Sequence, residues 1–327
     1  MFGRKKPSQF MIIQERDVGL FSLYHQVINS LSLAKKLNLI PIIFFGEHCC
    51  YHTARGYRGK KNVWEYYFQP LDTLFSESHI LMMNEDEKLS FFDNNHVLND
   101  YSPTIENSTA DVSIPFLADP NKQVRKTIYK LIKRNIHIRD YIKAKVENFW
   151  RADLASCYVI GVHIRGTDAI DHELRKQVVI LEEYFEIIDR SVATARKLTS
   201  KNIKLFIASD DEAYIHALKR RYPNLCVDYP AIRKSSSEKI NSGVGPTGEI
   251  MPYFLTQDRE LAAQSGEDVL VEHLLLSRCD FFIHNISSLA RSVLMQNPTL
   301  EHINIRQQDY HKIQQILSRH SKEKDSE

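Results

Sequence analysis

The stretch Tyr158-Val159-Ile160-Gly161-Val162-His163-Ile164-Arg165-Gly166-Thr167-Asp168 carries the reading of the fold. Its apolar run from Tyr158 to Ile164 predicts a strand. Downstream the pattern alternates. A helix is expected over Leu181–Leu198, a strand over Ile203–Ala208, a helix over Glu212–Arg221 and a short strand at Cys226–Val227. A long loop, 232–263, holds Gly243, Gly245, Pro246 and Gly248. Helix 268–279, strand Phe281–His284, helix Ser287–Gln296, strand 302–305 and a terminal helix 311–319 follow. Strands alternating with helices predict a parallel, doubly wound α/β sheet.

Upstream, Lys122–Trp150 is periodic and predicts two helices, whose many Lys and Arg residues read as a solvated face. Residues 84–113 lack pattern and read as loop. The chain opens with a strand, Phe10–Gln14, then Gly19. A helix stripe of Leu20, Tyr24, Val27, Leu31 and Ala34 runs to about Asn38, and a second strand covers 39–45. Strand, glycine turn, helix and strand are the start of a Rossmann-like unit. At about 150 residues per domain, 327 residues predict two domains, 1–150 and 151–327.

Apolar residues form 43% of the chain and charged residues 26%, which excludes a disordered chain. Lysine and arginine total 43 against 41 acidic residues, a net charge of +2. Such balance lacks the broad basic field of a nucleic-acid binder, so an anionic ligand must be met by a local cluster of donors. The five cysteines lack zinc-site spacing, and adjacent Cys49 and Cys50 read as inert thiols rather than a redox pair. No stretch approaches the ~20 apolar residues of a membrane span. The opening MFGRKKPSQFMIIQ reads as a strand rather than a signal-peptide core. A cytosolic protein is expected, with a lumenal catalytic fragment freed of its anchor as the alternative.

Ligands of open α/β sheets bind beyond the carboxyl ends of the strands, so the polar residues that follow each strand are the candidates. His163 and Arg165 share one strand face, where such side chains need a partner. Arg165 offers a planar fork suited to a diphosphate, and Gly166 would let a ligand approach the backbone; an Arg165–Asp168 ion pair is the plainer alternative. Asp210 and Asp211 end the next strand. Either is placed to grip a ribose hydroxyl, to hold Arg165 and His163, or to cap the following helix. Ser287 and Ser288 open a helix directly after a strand, where free N–H groups form a phosphate seat, although serine is also an ordinary cap. Asp268 and Glu272 lie four apart on one helix face. They read either as acceptors for guanine N–H groups or as a plain exposed face. The segment Asn62-Val63-Trp64-Glu65-Tyr66-Tyr67-Phe68, after basic Tyr57–Lys61, reads as a sugar-stacking surface or as a buried aromatic helix. No Asp-x-Asp motif is present to bridge a diphosphate through a metal.

Taken together, YVIGVHIRGTD, LFIASDD and GEDVLVEHLLLSRCDFFIHNISSLAR resemble the donor-site motifs of a fucosyltransferase superfamily. It contains N-glycan core α1,6-fucosyltransferases and bacterial nodulation-factor fucosyltransferases. VGLFSLYHQV…LNLIPIIF and NVWEYYFQP are similar to its bacterial members. The resemblance implies a GT-B glycosyltransferase: two Rossmann-like domains facing across a cleft, the first on the acceptor side and the second binding the donor. It implies inverting, metal-independent transfer of L-fucose from GDP-fucose to a sugar hydroxyl of an oligosaccharide or glycoconjugate. By this resemblance Arg165 holds the diphosphate, His163 neighbours the donor, Glu272 takes the guanine position and Ser288 sits beside the phosphates. Gly19 lies near the loop that closes over them, and Asp168, Asp210 and Asp211 match acidic positions. Glu173 falls where core α1,6-enzymes carry the proposed base, with Asp168 in reserve. Two departures stand out: Ala169 replaces a lysine, and Glu272 replaces an aspartate. Another nucleotide sugar, a protein acceptor, or a non-catalytic GDP- or glycan-binding module are the alternatives.

Overall fold

The computed structural model describes residues 10–16, 18–71, 77–98, 114, 118–166, 180–233 and 259–305. They form two parallel sheets. In the first, β1 (Phe10–Gln14) lies between β2 (Ile40–Phe44) and β3 (His96–Leu98). In the second, β4 (Cys157–Ile164), β5 (Asn202–Ser209), β6 (Cys226–Val227), β7 (Phe281–His284) and β8 (His302–Asn304) are ordered β6-β5-β4-β7-β8. That order reverses direction between β4 and β7, as in a Rossmann sheet.

The helices are α1 (Leu20–Leu37), α2 (Val63–Tyr67), α3 (Glu77–Leu81), α4 (Glu85–Asp93), α5 (Lys122–Asn135), α6 (Asp140–Asp153), α7 (Leu181–Leu198), α8 (Glu212–Arg221), α9 (Arg259–Leu276) and α10 (Ser288–Gln296). The apolar stripe of α1 is buried, and Asn38 ends the helix in the left-handed conformation at φ 55°. Among the described residues, no helix is long and apolar enough to cross a membrane.

Two expectations change. Residues 84–113, read as loop, contain α4 and β3. The missed signal is a capping box: Asn84 accepts from the Glu87 N–H at 2.8 Å, and the Glu87 carboxylate accepts from the Asn84 N–H at 2.9 Å. The helix expected from Asp268 begins at Arg259 instead. A Cβ on Gly266, inside this helix, would lie 2.2 Å from the Tyr67 hydroxyl, so this glycine admits a close helix crossing. The terminal helix and most of the long loop lie outside the described residues.

The second sheet has two unlike faces. Ile160, Val162, Ile164, Leu205, Ile207 and Ile283 pack with Ile187 and Ile188 of α7 and Leu218 of α8 in one apolar cluster. Val159, Phe206 and Phe282, on the other face, join α9 and α10 in a core that continues through α5, α6 and α1 to Met11 and Ile13 of the first sheet. Trp64, Tyr66, Tyr67 and Phe68 belong to this core and are at most 2% exposed, so the aromatic segment is packing rather than a sugar platform. Charged groups also join the halves. The buried Glu267 carboxylate accepts from Arg58 Nε at 2.8 Å, Tyr57 at 2.7 Å and Lys145. Burial alone would raise this carboxyl, but those donors outweigh it and hold it below the ordinary carboxylate range. Lys145 and the buried Arg125 thus depart from the solvated face expected of these helices.

Candidate active site

The site grows from the carboxyl ends of β4, β5 and β7. Side chains on β4 alternate, so His163, opposite His284 on β7, points away from the α7–α8 layer, and Arg165 lies one residue past the end of β4. Arg165 Nε lies 3.3 Å from Asp210 Oδ2, and the Gly166 N–H donates to Asp210 Oδ1 at 2.9 Å. Asp210 therefore holds Arg165, whereas Asp211 caps α8, accepting from the Ala213 N–H at 2.8 Å. The space beside Gly166 belongs to Tyr214: a Cβ would lie 2.2 Å from that ring, which replaces the ligand-approach reading. His163 is 4% exposed, and its Nδ1 has no partner among the described residues. Burial, then Arg165 and His284, push its pKa down to about 3, so the imidazole is neutral.

Across the β4–β7 junction, Ser287 caps α10 by accepting from the Ala290 N–H at 2.9 Å, the ordinary capping role. Ser288 differs. Its hydroxyl lies 3.2 Å from that of Ser22 on α1 and accepts from Arg291 Nη2 at 3.0 Å. The amino-terminal ends of α1 and α10 therefore meet here, and two positive helix ends side by side favour an anion between them. Gly19, before α1, has φ −61°, and a Cβ on it would meet nothing within 4 Å. Neither backbone geometry nor packing requires a glycine there. The Leu20 N–H donates to the Tyr51 hydroxyl at 3.0 Å, and Tyr51 feels the charge of Arg165.

Glu272 and Asp268 are buried, not an exposed face. Glu272 accepts from Arg233 Nη2 at 2.6 Å, and Asp268 accepts from the Ile232 N–H at 3.0 Å and Gln264 at 2.9 Å. Burial pushes the Glu272 carboxyl up to about 8, against the pull of Arg233. Asp168 and Glu173 lie outside the described residues. Sequence reasoning gave no role to Ser22, Tyr51, Arg233 or Asn285, because each acts through a contact distant along the chain.

Behind the junction, Asp119, His284 and His302 gather ligand atoms within 4.8 Å of one another. His284 Nε2 and His302 Nδ1 are 3.0 Å apart, and Arg125 faces His302 Nε2. A guanidinium only donates, so that nitrogen bears the lone pair and Nδ1 bears the proton. His302 Nδ1 then donates to His284 Nε2, and His284 Nδ1 donates to the Asn285 carbonyl at 3.0 Å. The two histidines are satisfied as a hydrogen-bond chain, and this arrangement puts a proton on His302 Nδ1, where a cation would need a lone pair.

The profile of the family described as nodulation protein Z (NodZ) matches residues 111–301, more than half of the chain. The chain belongs to the NodZ family. Among solved structures, it is similar to a NodZ α1,6-fucosyltransferase co-crystallised with GDP, at 16% identity and TM-score 0.52, covering 88% of this chain and 92% of that one. Fucosyltransferase NodZ from Bradyrhizobium gives 16% identity and TM-score 0.51, with 88% and 92% covered. POFUT1 in complex with GDP gives 12% identity and TM-score 0.50, with 92% and 99% covered. The NodZ family membership and these folds make the architecture GT-B, as the sequence resemblance implied.

Proposed function

We propose that this chain is a GDP-fucose-dependent fucosyltransferase that moves L-fucose to a sugar hydroxyl of a glycan, with inversion and without a metal ion. The observation that carries this reading is the contact of the amino-terminal ends of α1 and α10 through Ser22 and Ser288, just beyond the Asn285 that bonds the Arg165 peptide at the β4–β7 junction. NodZ α1,6-fucosyltransferase has been co-crystallised with GDP and soaked with GDP-fucose, which agrees with a nucleoside diphosphate at such a seat. We assign residues 1–150 to the acceptor side and 151–327 to the donor side.

In this reading the bond between fucose C1 and the diphosphate oxygen breaks, its electron pair leaving with GDP. The acceptor oxygen attacks C1 from the opposite face, and its proton passes to a carboxylate, Glu173 first and Asp168 in reserve. Such a base contributes roughly 10² to 10⁴ in rate. Arg165 and the N–H groups at Ser287–Ser288 take up the charge growing on the diphosphate. Losing one preorganised donor of that kind costs about 10² to 10³. Gly19 leaves room for the phosphates, neutral His163 offers a hydrogen bond without adding charge, and Asp210 orients Arg165. Glu272 serves guanine once Arg233 yields its carboxylate.

The test is turnover of GDP-fucose, GDP-mannose and UDP-GlcNAc, with and without EDTA, over chito-oligosaccharides, N-glycans and peptides. GDP-fucose transfer that survives EDTA is expected. Loss with EDTA overturns the metal-free mechanism, another preferred donor overturns the sugar, and GDP binding without turnover on any acceptor points to a binding module.

A further inference from the structure

The pairing of β4 with β7 ends at His163 opposite His284, where the strands part and the crevice begins. One residue further, a side chain continues the ladder. Asn285 Oδ1 accepts from the Arg165 N–H at 2.9 Å, and Asn285 Nδ2 donates to the Arg165 carbonyl at 3.0 Å. A carboxamide offers one acceptor and two donors, so it stands in for a strand neighbour; aspartate cannot, having no hydrogen to donate. Asn285 is itself 2% exposed, and its carbonyl is fixed by His284, which His302 and Arg125 hold in turn. Arg165 is thus gripped from two strands: its backbone by Asn285 after β7, and its Nε by Asp210 after β5.

We propose that Asn285 is a positioning residue: by clamping the Arg165 peptide on both sides, it aims the guanidinium at the leaving diphosphate. This rests on the reading of Arg165 as the diphosphate donor. Preorganised catalytic groups lose as much as about 10²-fold in rate from a displacement near 1 Å, so small slippage of this peptide is enough.

The test combines kinetics with a double-mutant cycle on GDP binding by calorimetry. Asn285→Ala is expected to lower kcat about 10- to 100-fold with a smaller change in KM for GDP-fucose. It should also weaken GDP binding in wild type but not in an Arg165→Ala background, because it acts through that arginine. Asn285→Asp keeps the bond to the Arg165 N–H, preserving the fold, yet should bind GDP more weakly than Asn285→Ala because it adds a negative charge. Melting temperature and circular dichroism check folding of each variant. An additive cycle, or unchanged kcat in a folded Asn285→Ala, overturns the proposal while wild type still binds GDP. Wild type that binds none of GDP, UDP or ADP overturns the fucosyltransferase reading and this inference together.

Discussion

One face of the five-stranded sheet is sealed: β4, β5, β7 and β8 send isoleucines, valine and leucine under α7 and α8. The other face presents His163, His284 and His302 on these strands, with Arg165 one residue past β4. Burying a polar side chain without a partner costs a few kcal/mol. For Arg165, His284 and His302 the partners are Asp210, Asn285 and Arg125, whereas His163 Nδ1 has none among the described residues. The sealed face therefore stabilises the donor half, while the polar face is held in readiness by contacts that the apolar layer cannot supply.

The largest expected effect is on the polar face. Arg165→Ala should lower transfer by at least about 10² to 10³ with the melting temperature kept, because its side chain is 36% exposed. Near-normal turnover in that variant would remove the distinction between the faces. Ile188→Ala, on the buried face of α7, should cost about 2–5 kcal/mol in urea unfolding and leave GDP affinity unchanged. Equal losses of stability and affinity would show that the two faces are coupled.

Glu272 sharpens the contrast through pH. Its folded pKa, about 8, lies above the ordinary carboxylate range, so the native state keeps a proton that the unfolded chain has lost. Its contribution to stability therefore falls as pH rises from about 5 to 8, and GDP affinity should rise through the upper end of that window. Glu272→Gln should flatten both dependences in unfolding and calorimetric titrations; unchanged profiles would exclude this carboxyl as their source. The smallest effect is expected at Asp211. Removing this α8 cap by Asp211→Ala should cost about 1 kcal/mol and leave kcat alone, whereas Asp210→Ala, which removes the partner of Arg165 Nε and of the Gly166 N–H, should lower kcat. Equal kinetic losses would place both aspartates on the ligand.

The alternation of β4 through β8 was legible because buried parallel strands and amphipathic helices write their periods locally. So was the place of His163 and Arg165 at the end of β4, since the apolar run marks that strand. The start of α9 was not, because its first turns, at Ala263 and Gly266, are packed against Tyr67, which is distant along the chain. The same holds for α4, whose polar surface hides its period although its cap is local.

The sequence by itself determined the layered α/β order, the strand ends where chemistry sits, and the family to which those motifs belong. Only the tertiary structure decided which of two neighbouring residues does which work. Asp210 turns to Arg165 while Asp211 caps a helix; Ser287 caps while Ser288 faces Ser22; and Asn285 reaches across to the Arg165 peptide. Period and propensity depend on neighbours within a turn or two of chain, whereas the choices of Asp210, Asn285 and Ser288 depend on hydrogen-bond partners between 44 and 266 residues away.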